Sequence, residues 1–216
     1  MRRPNLRIGL LGGSFNPAHD GHRHVSLLAL RNLGLNEIWW LVSPQNPLKP
    51  EKGMAPLRER LEQAKAVARH PRIRVTDLES RLETRYTIDT LRVLLDTFPR
   101  CRFVWLMGAD NLAQISRWRD WTAIFQTIPI AVFDRPSYAF SASTGLASRR
   151  YGHSCIPERF AKKLADMKPP AWVFFKTALS PVSATRIRRH SATGAERGLV
   201  RRHAIGSFWR PRGTTR

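Results

Sequence analysis

"GGSFNPAHDGH", Gly12 to His22, follows directly on the apolar run Ile8-Gly9-Leu10-Leu11. A short apolar run that gives way to glycines and then to a helical pattern is the strand–turn–helix unit from which open α/β sheets are wound. The turn is not the dinucleotide fingerprint G-x-G-x-x-G, because Gly12 and Gly13 are adjacent, and no Gly-Lys-Ser/Thr of a P-loop follows. Its location is nonetheless that of a phosphate site, where backbone N–H groups of a Gly-rich turn and a helix N-terminus converge. His19 and His22 lie three residues apart across the helix start, so both rings can reach one side of the turn and donate to phosphate oxygens. Other roles compete. A metal pair needs a third ligand, and His24 points elsewhere around the helix. A general base needs a proton to remove. Either histidine can also be a helix cap or a surface residue.

Working outward, the strand–helix alternation continues. Arg7–Leu11, Glu37–Val42, Ile73–Val75, Arg102–Met107, Ile128–Phe133 and Trp172–Phe175 read as strands. Gly21–Leu33, Leu57–Ala68 and Thr87–Phe98 carry apolar residues at helical spacing. Short, near-continuous apolar strands between helices predict an α/β fold with a doubly wound, mainly parallel sheet covered on both faces. Its ligand cleft belongs at the carboxyl ends of the strands. Pro44 to Pro56 is a loop with four prolines. Ser137 to Ser154 reads as a loop leading to a polar helix near Pro157–Met167. We expect one domain over residues 1–190 and a basic, loosely ordered tail over 191–216.

The chain has 216 residues, 42% of them apolar, enough for a sizeable core. Its net charge of +21 comes from 30 Arg and 7 Lys against 16 acidic residues. That excess suits anionic partners, although a skew toward Arg also fits a general compositional habit. Cys101 and Cys155, the only cysteines, make neither a disulfide framework nor a cysteine-based zinc site. No stretch approaches the ~20 apolar residues of a membrane span, and the apolar run after Arg2-Arg3 is too short for a signal-peptide core. The reading is cytoplasmic, with no membrane partner.

A second motif follows the last strand. In Val182-Ser183-Ala184-Thr185-Arg186-Ile187-Arg188, Ser183 is a good N-cap, and Arg186, Arg188 and Arg189 crowd the first turns of the helix it would start. Positive charge is disfavoured there unless an anion is bound. The plain alternative is a capped helix in a basic tail.

Together these segments resemble the nucleotidyltransferases with an H-x-G-H motif, whose signatures are G-G-x-F-N/D-P-x-H-x-G-H and I-S-S-T-x-I-R. Ala184 stands here in place of the second serine. Within that superfamily the chain is most similar to the nicotinate-nucleotide adenylyltransferases, from Leu6 to about Arg189. Val42 to Lys49 matches a Pro-rich loop ending in Lys, Tyr86 to Leu91 a Y-T-x-x-T-L helix start, and Gly108 to Leu112 a G-x-D-x-L segment. Trp118 falls where the family stacks a tryptophan on the pyridine ring, and Arg135 where it keeps a basic residue for the mononucleotide phosphate.

The resemblance implies adenylyl transfer from ATP to nicotinate mononucleotide, with Mg²⁺ accompanying ATP and no metal site in the protein. His19, His22 and Arg188 are its implied catalytic residues. ATP would lie on Gly12, Gly13, Ser14, Phe15, His19, Gly21, His22, Lys49, Gly108, Asp110, Ser183, Thr185 and Arg186. Nicotinate mononucleotide would meet Asn16, Lys49, Tyr86, Thr87, Trp118, Arg119 and Arg135. Each has a plainer reading beside it: Asp110 as N-cap of a helix Asn111–Ile115, Thr87 as a helix cap, Trp118 as core, Lys49 and Arg135 as solvated cations. The alternatives are nicotinamide mononucleotide or phosphopantetheine as acceptor. A different class is a nucleic-acid-binding protein, since Arg186 to Arg216 holds nine Arg against one Glu. We expect no specific nucleic acid partner.

Overall fold

A computed structural model describes residues 5–44, 53–134 and 144–176. In chain order the elements are β1 (Arg7–Gly13), α1 (Asp20–Asn32), β2 (Glu37–Val42), α2 (Leu57–Ala68), β3 (Ile73–Thr76), α3 (Leu78–Arg81) and α4 (Thr87–Thr97). They continue with β4 (Arg102–Gly108), α5 (Ala109–Gln114), a 3₁₀ turn (Ile115–Arg117), α6 (Trp121–Thr127) and β5 (Ile130–Phe133). The last are α7 (Leu146–Tyr151), a 3₁₀ turn (Gly152–Ser154), β6 (Cys155–Ile156), a 3₁₀ helix (Glu158–Asp166) and β7 (Trp172–Phe175).

The strands form one seven-stranded sheet in the order β3-β2-β1-β4-β5-β7-β6. Every pairing is parallel. The sheet grows one way from β1 through β2 to β3, then restarts at β4 on the other side. The crevice between β1 and β4 is therefore the topological switch point, where open α/β sheets bind their ligands. Both faces are covered. Leu11, Trp40, Val42, Leu106 and Phe133 pack against α1 and α2 on one side. Ile8, Leu10, Trp105, Ile130 and Val132 pack against α4, α5 and α6 on the other. This two-sided burial is why the strands read as continuous apolar runs rather than alternating ones.

Several predicted boundaries move. β1 runs two residues further, to Gly13, because Gly12 and Gly13 pair with Leu41 and Val42 of β2. The predicted strand Ile128–Phe133 begins at Ile130, after Pro129. The predicted polar helix near Pro157–Met167 is a 3₁₀ helix over Glu158–Asp166. At three residues per turn Ala161 and Leu164 stack on one inward line. Its last residue, Asp166, accepts from Arg7 at 2.6 Å and faces Arg102 at 3.4 Å, which fastens the segment to the first residues of β1 and β4. Part of the expected loop Ser137–Ser154 is helical instead, as α7, where Tyr151 stacks on Phe125 with ring centroids 4.3 Å apart. Among the described residues no helix is long and apolar enough to cross a membrane.

Candidate active site

The turn after β1 delivers two histidines to the start of α1, and the backbone fixes both. His19 is the N-cap, extended and 4% exposed. Its Nδ1 accepts from Gly21 N–H at 3.1 Å. His22 answers from the third helical position, its Nδ1 accepting from His19 N–H at 3.2 Å. This is a capping box built from imidazoles, and it satisfies two of the N–H groups that a helix start leaves over. It also sets the tautomers. A neutral imidazole that accepts at Nδ1 carries its proton on Nε2, so both rings present an Nε2–H donor. The ring centroids are 3.9 Å apart. His22 is braced from behind: its carbonyl accepts from Ser26 Oγ at 2.8 Å, and that hydroxyl accepts from Trp40 Nε1 at 2.8 Å.

The turn itself is shaped by close packing. A Cβ on Gly12 would lie 2.5 Å from Cη2 of Trp105 on β4, so only glycine lets the two strands carry these residues side by side. Phe15 has φ 44°, in the left-handed region, and is held there by burial. Its ring stacks on Trp40 at 5.0 Å and meets His22 at 4.6 Å. Phe15 is thus a packing residue behind the histidines. The side chain of Asn16 ties the turn to a distant segment, donating to Gly53 O at 3.0 Å and accepting from Ala55 N–H at 3.2 Å.

A second group gathers beyond β4. Gly108 ends β4 and is the N-cap position of α5, which spans Ala109–Gln114. Asp110 therefore sits inside the first turn and is not the cap of a helix beginning at Asn111. Thr87 likewise does not cap α4; Tyr86 occupies that position without a side-chain cap, and Thr87 is the first helical residue. Arg119 lays its guanidinium over the Tyr86 ring, 4.6 Å from the centroid, and stands 4.0 Å from Asp89. Trp118 is half-buried and meets Trp105 edge-on, with centroids 6.5 Å apart and planes at 86°. Arg119 thus joins the segment of Tyr86 and Thr87 to the segment that carries Trp118. Lys49, Arg135, Ser183, Thr185, Arg186 and Arg188 lie outside the described residues.

Two buried charged side chains beside the turn were not expected. Arg60 of α2 is 1% exposed, and burial pushes its guanidinium below the ordinary arginine range. Four donors of its fork end on backbone carbonyls of Ser14, Ser43, Pro44 and Ala55, at 2.7–2.8 Å. Glu79 of α3 is 9% exposed, and burial raises its carboxyl to about 7 against the opposing hydrogen bond from Ser43. The signal for Arg60 was present in the sequence: it falls on the apolar side of α2, one residue before Leu61.

The donor set at the turn suits phosphate oxygens, consisting of imidazole and backbone N–H groups. Among the described residues no group of three or more His, Cys, Asp or Glu could hold a metal ion.

Comparison with known proteins agrees with this geometry. The cytidylyltransferase-like family matches residues 10–190. A protein of Cereibacter sphaeroides named probable nicotinate-nucleotide adenylyltransferase is 49% identical over 191 residues, covering 88% of this chain and 99% of its own. One of the same name from Parvibaculum lavamentivorans is 51% identical over 185 residues, covering 86% and 92%. Among solved structures, the nicotinic acid mononucleotide adenylyltransferase of Plasmodium falciparum in complex with NaAD matches with a TM-score of 0.63. It is 19% identical and the match covers 85% of this chain and 83% of that one, which establishes a shared fold.

Proposed function

Because this chain belongs to the cytidylyltransferase-like family, and within it to the nicotinate-nucleotide adenylyltransferases, we propose that it transfers the adenylyl group of ATP to nicotinate mononucleotide, a step of NAD biosynthesis. A 5′-phosphate oxygen of nicotinate mononucleotide attacks the α-phosphorus of ATP. One P–O bond forms to the attacking oxygen, the bond from the α-phosphorus to the bridging oxygen breaks, and pyrophosphate leaves with that electron pair. The product is nicotinate adenine dinucleotide. The nucleophile is already an anion, so no group need remove a proton.

What remains for the protein is positioning and charge stabilisation. The observation that carries the reading is the reciprocal cap of His19 and His22, which sets the two rings side by side at the turn with Nδ1 engaged and the proton on Nε2. We assign those donors to the α-phosphate and the departing pyrophosphate. The turn Gly12–Phe15, Gly21, Gly108 and Asp110 form the ATP side, joined by Lys49, Ser183, Thr185, Arg186 and the catalytic Arg188. Asn16, Tyr86, Thr87, Trp118, Arg119, Lys49 and Arg135 form the nicotinate mononucleotide side, Trp118 offering its face to the pyridinium. Mg²⁺ arrives as part of the nucleotide substrate, on the triphosphate oxygens, and offsets their charge. We place the enzyme in the cytoplasm.

The test is pyrophosphate release from ATP and Mg²⁺ with nicotinate mononucleotide, nicotinamide mononucleotide and phosphopantetheine supplied separately. Strong preference for the first is expected. Preference for either other acceptor overturns the substrate and keeps the adenylyl transfer. Release with none of them overturns the function.

A further inference from the structure

Arg60 is a buried cation on which no acidic side chain among the described residues closes an ion pair. Its partners are all backbone carbonyls from separate parts of the chain. Nη1 donates to Ser14 O in the turn after β1 and to Ser43 O after β2, each at 2.7 Å. Nη2 donates to Pro44 O and Nε to Ala55 O, both at 2.8 Å. Pro44 and Ala55 are the two ends of the Pro-rich loop. The same three segments are stitched again by other groups. Ser43 N–H donates to Gly13 O at 2.9 Å, and Asn16 holds Gly53 O and Ala55 N–H through its amide.

We propose that Arg60 is a positioning residue for the reaction: its guanidinium fork locks the phosphate turn after β1 to Ser43-Pro44 and to Ala55, so that the turn is preset against these two segments. The inference rests on the adenylyl-transfer reading for what the turn binds. A planar fork with donors in fixed directions can serve four carbonyls at once. A lysine ammonium has three donors on one atom and cannot span them. The histidines are held differently, by their own reciprocal cap within α1. Loosening the clamp therefore disturbs the surfaces that bind nucleotide more than the donors that act in the transition state. The consequence is a division between KM and kcat.

The test is R60K, with KM and kcat measured separately for ATP and for nicotinate mononucleotide, beside a thermal melt. Misplacing a bound group by about 1 Å costs on the order of 10²-fold, so kcat/KM should fall by about that factor, with the larger share in KM. A merely structural role predicts the reverse: kcat lowered in line with the folded fraction and KM unchanged. That result overturns the proposal. Because R60K can fail to fold, hydrogen exchange of the Ser43 and Ala55 amides is followed in the wild-type chain without substrate. Protection of both with one shared opening rate is expected. Exchange of either amide at the unprotected rate, or the two at unrelated rates, overturns the clamp. If wild type releases no pyrophosphate with any acceptor, the function fails, and the exchange measurement still decides whether Ser43 and Ala55 are locked to the turn.

Discussion

At the scale of single residues, His19 carries two jobs that substitutions can separate. It caps α1 through Nδ1 and offers a donor from Nε2. Asparagine is among the best N-caps but has no group at the Nε2 position. H19N should therefore melt within about 1 kcal/mol of wild type, while H19A loses a further ~1 kcal/mol of capping. Both should lose about 10²–10³ in kcat, the usual cost of one transition-state donor. Thermal melts beside pyrophosphate release check this, and wild-type turnover in H19N would remove His19 from the chemistry. The pairing of the histidines was legible from their spacing alone. Their tautomers were not, because these depend on backbone N–H directions that exist only once the turn has folded. Glu79 was illegible for a related reason: nothing in Leu78-Glu79-Ser80-Arg81 announces which side chain faces inward. Its carboxyl titrates near 7 in the fold and at the ordinary carboxylate value when unfolded, so the native state holds the proton more tightly. Its contribution is complete below the unfolded value and is lost as pH rises toward and through about 7, a change of about 3 kcal/mol before solvent relaxation is counted. E79Q should flatten that slope in melts taken from pH 5 to 8.

Elements were legible where one physical signal dominates. The helix α2 begins and ends as its apolar spacing predicts, Leu57 to Ala68, and β7 matches its apolar run, Trp172 to Phe175. The short pieces were not. α3 has four residues and β6 two, too few for any period to register. α6, from Trp121 to Thr127, mixes four apolar with three polar residues over two turns, too short for a stripe to register. These are the pieces that frame the second half of the site. Trp118 stands between the 3₁₀ turn Ile115–Arg117 and α6, its edge against Trp105. Its open part is the flat surface we assign to the pyridinium. W118A should raise KM for nicotinate mononucleotide by about tenfold, within the range of a partly desolvated cation–π contact, with KM for ATP unchanged. Equal rises in both would make Trp118 a core residue whose loss loosens the whole site.

For the whole molecule the strand alternation predicted a parallel sheet covered on both faces, with a cleft expected at the strands' carboxyl ends; that the switch point falls between β1 and β4 depends on the strand order, which alternation alone leaves open. The insertion of β7 between β5 and β6 could not be foreseen, since β6 pairs through only Cys155 and Ile156. The net charge of +21 also belongs to this scale. Residues 191–216 contain six Arg and one Glu, so removing them takes five positive charges from that total. Every residue assigned to ATP or to nicotinate mononucleotide, the catalytic Arg188 included, lies before residue 191, inside the domain expected over residues 1–190. A chain ending at His190 should therefore keep kcat within about twofold. Its kcat/KM for ATP should still fall as salt is raised, since cations local to the cleft steer an anionic substrate. Steady-state kinetics over a salt series on both chains checks this. Loss of turnover in the shortened chain would make the basic segment part of the catalytic domain. Retained turnover without salt dependence would assign the steering to that segment rather than to the cleft.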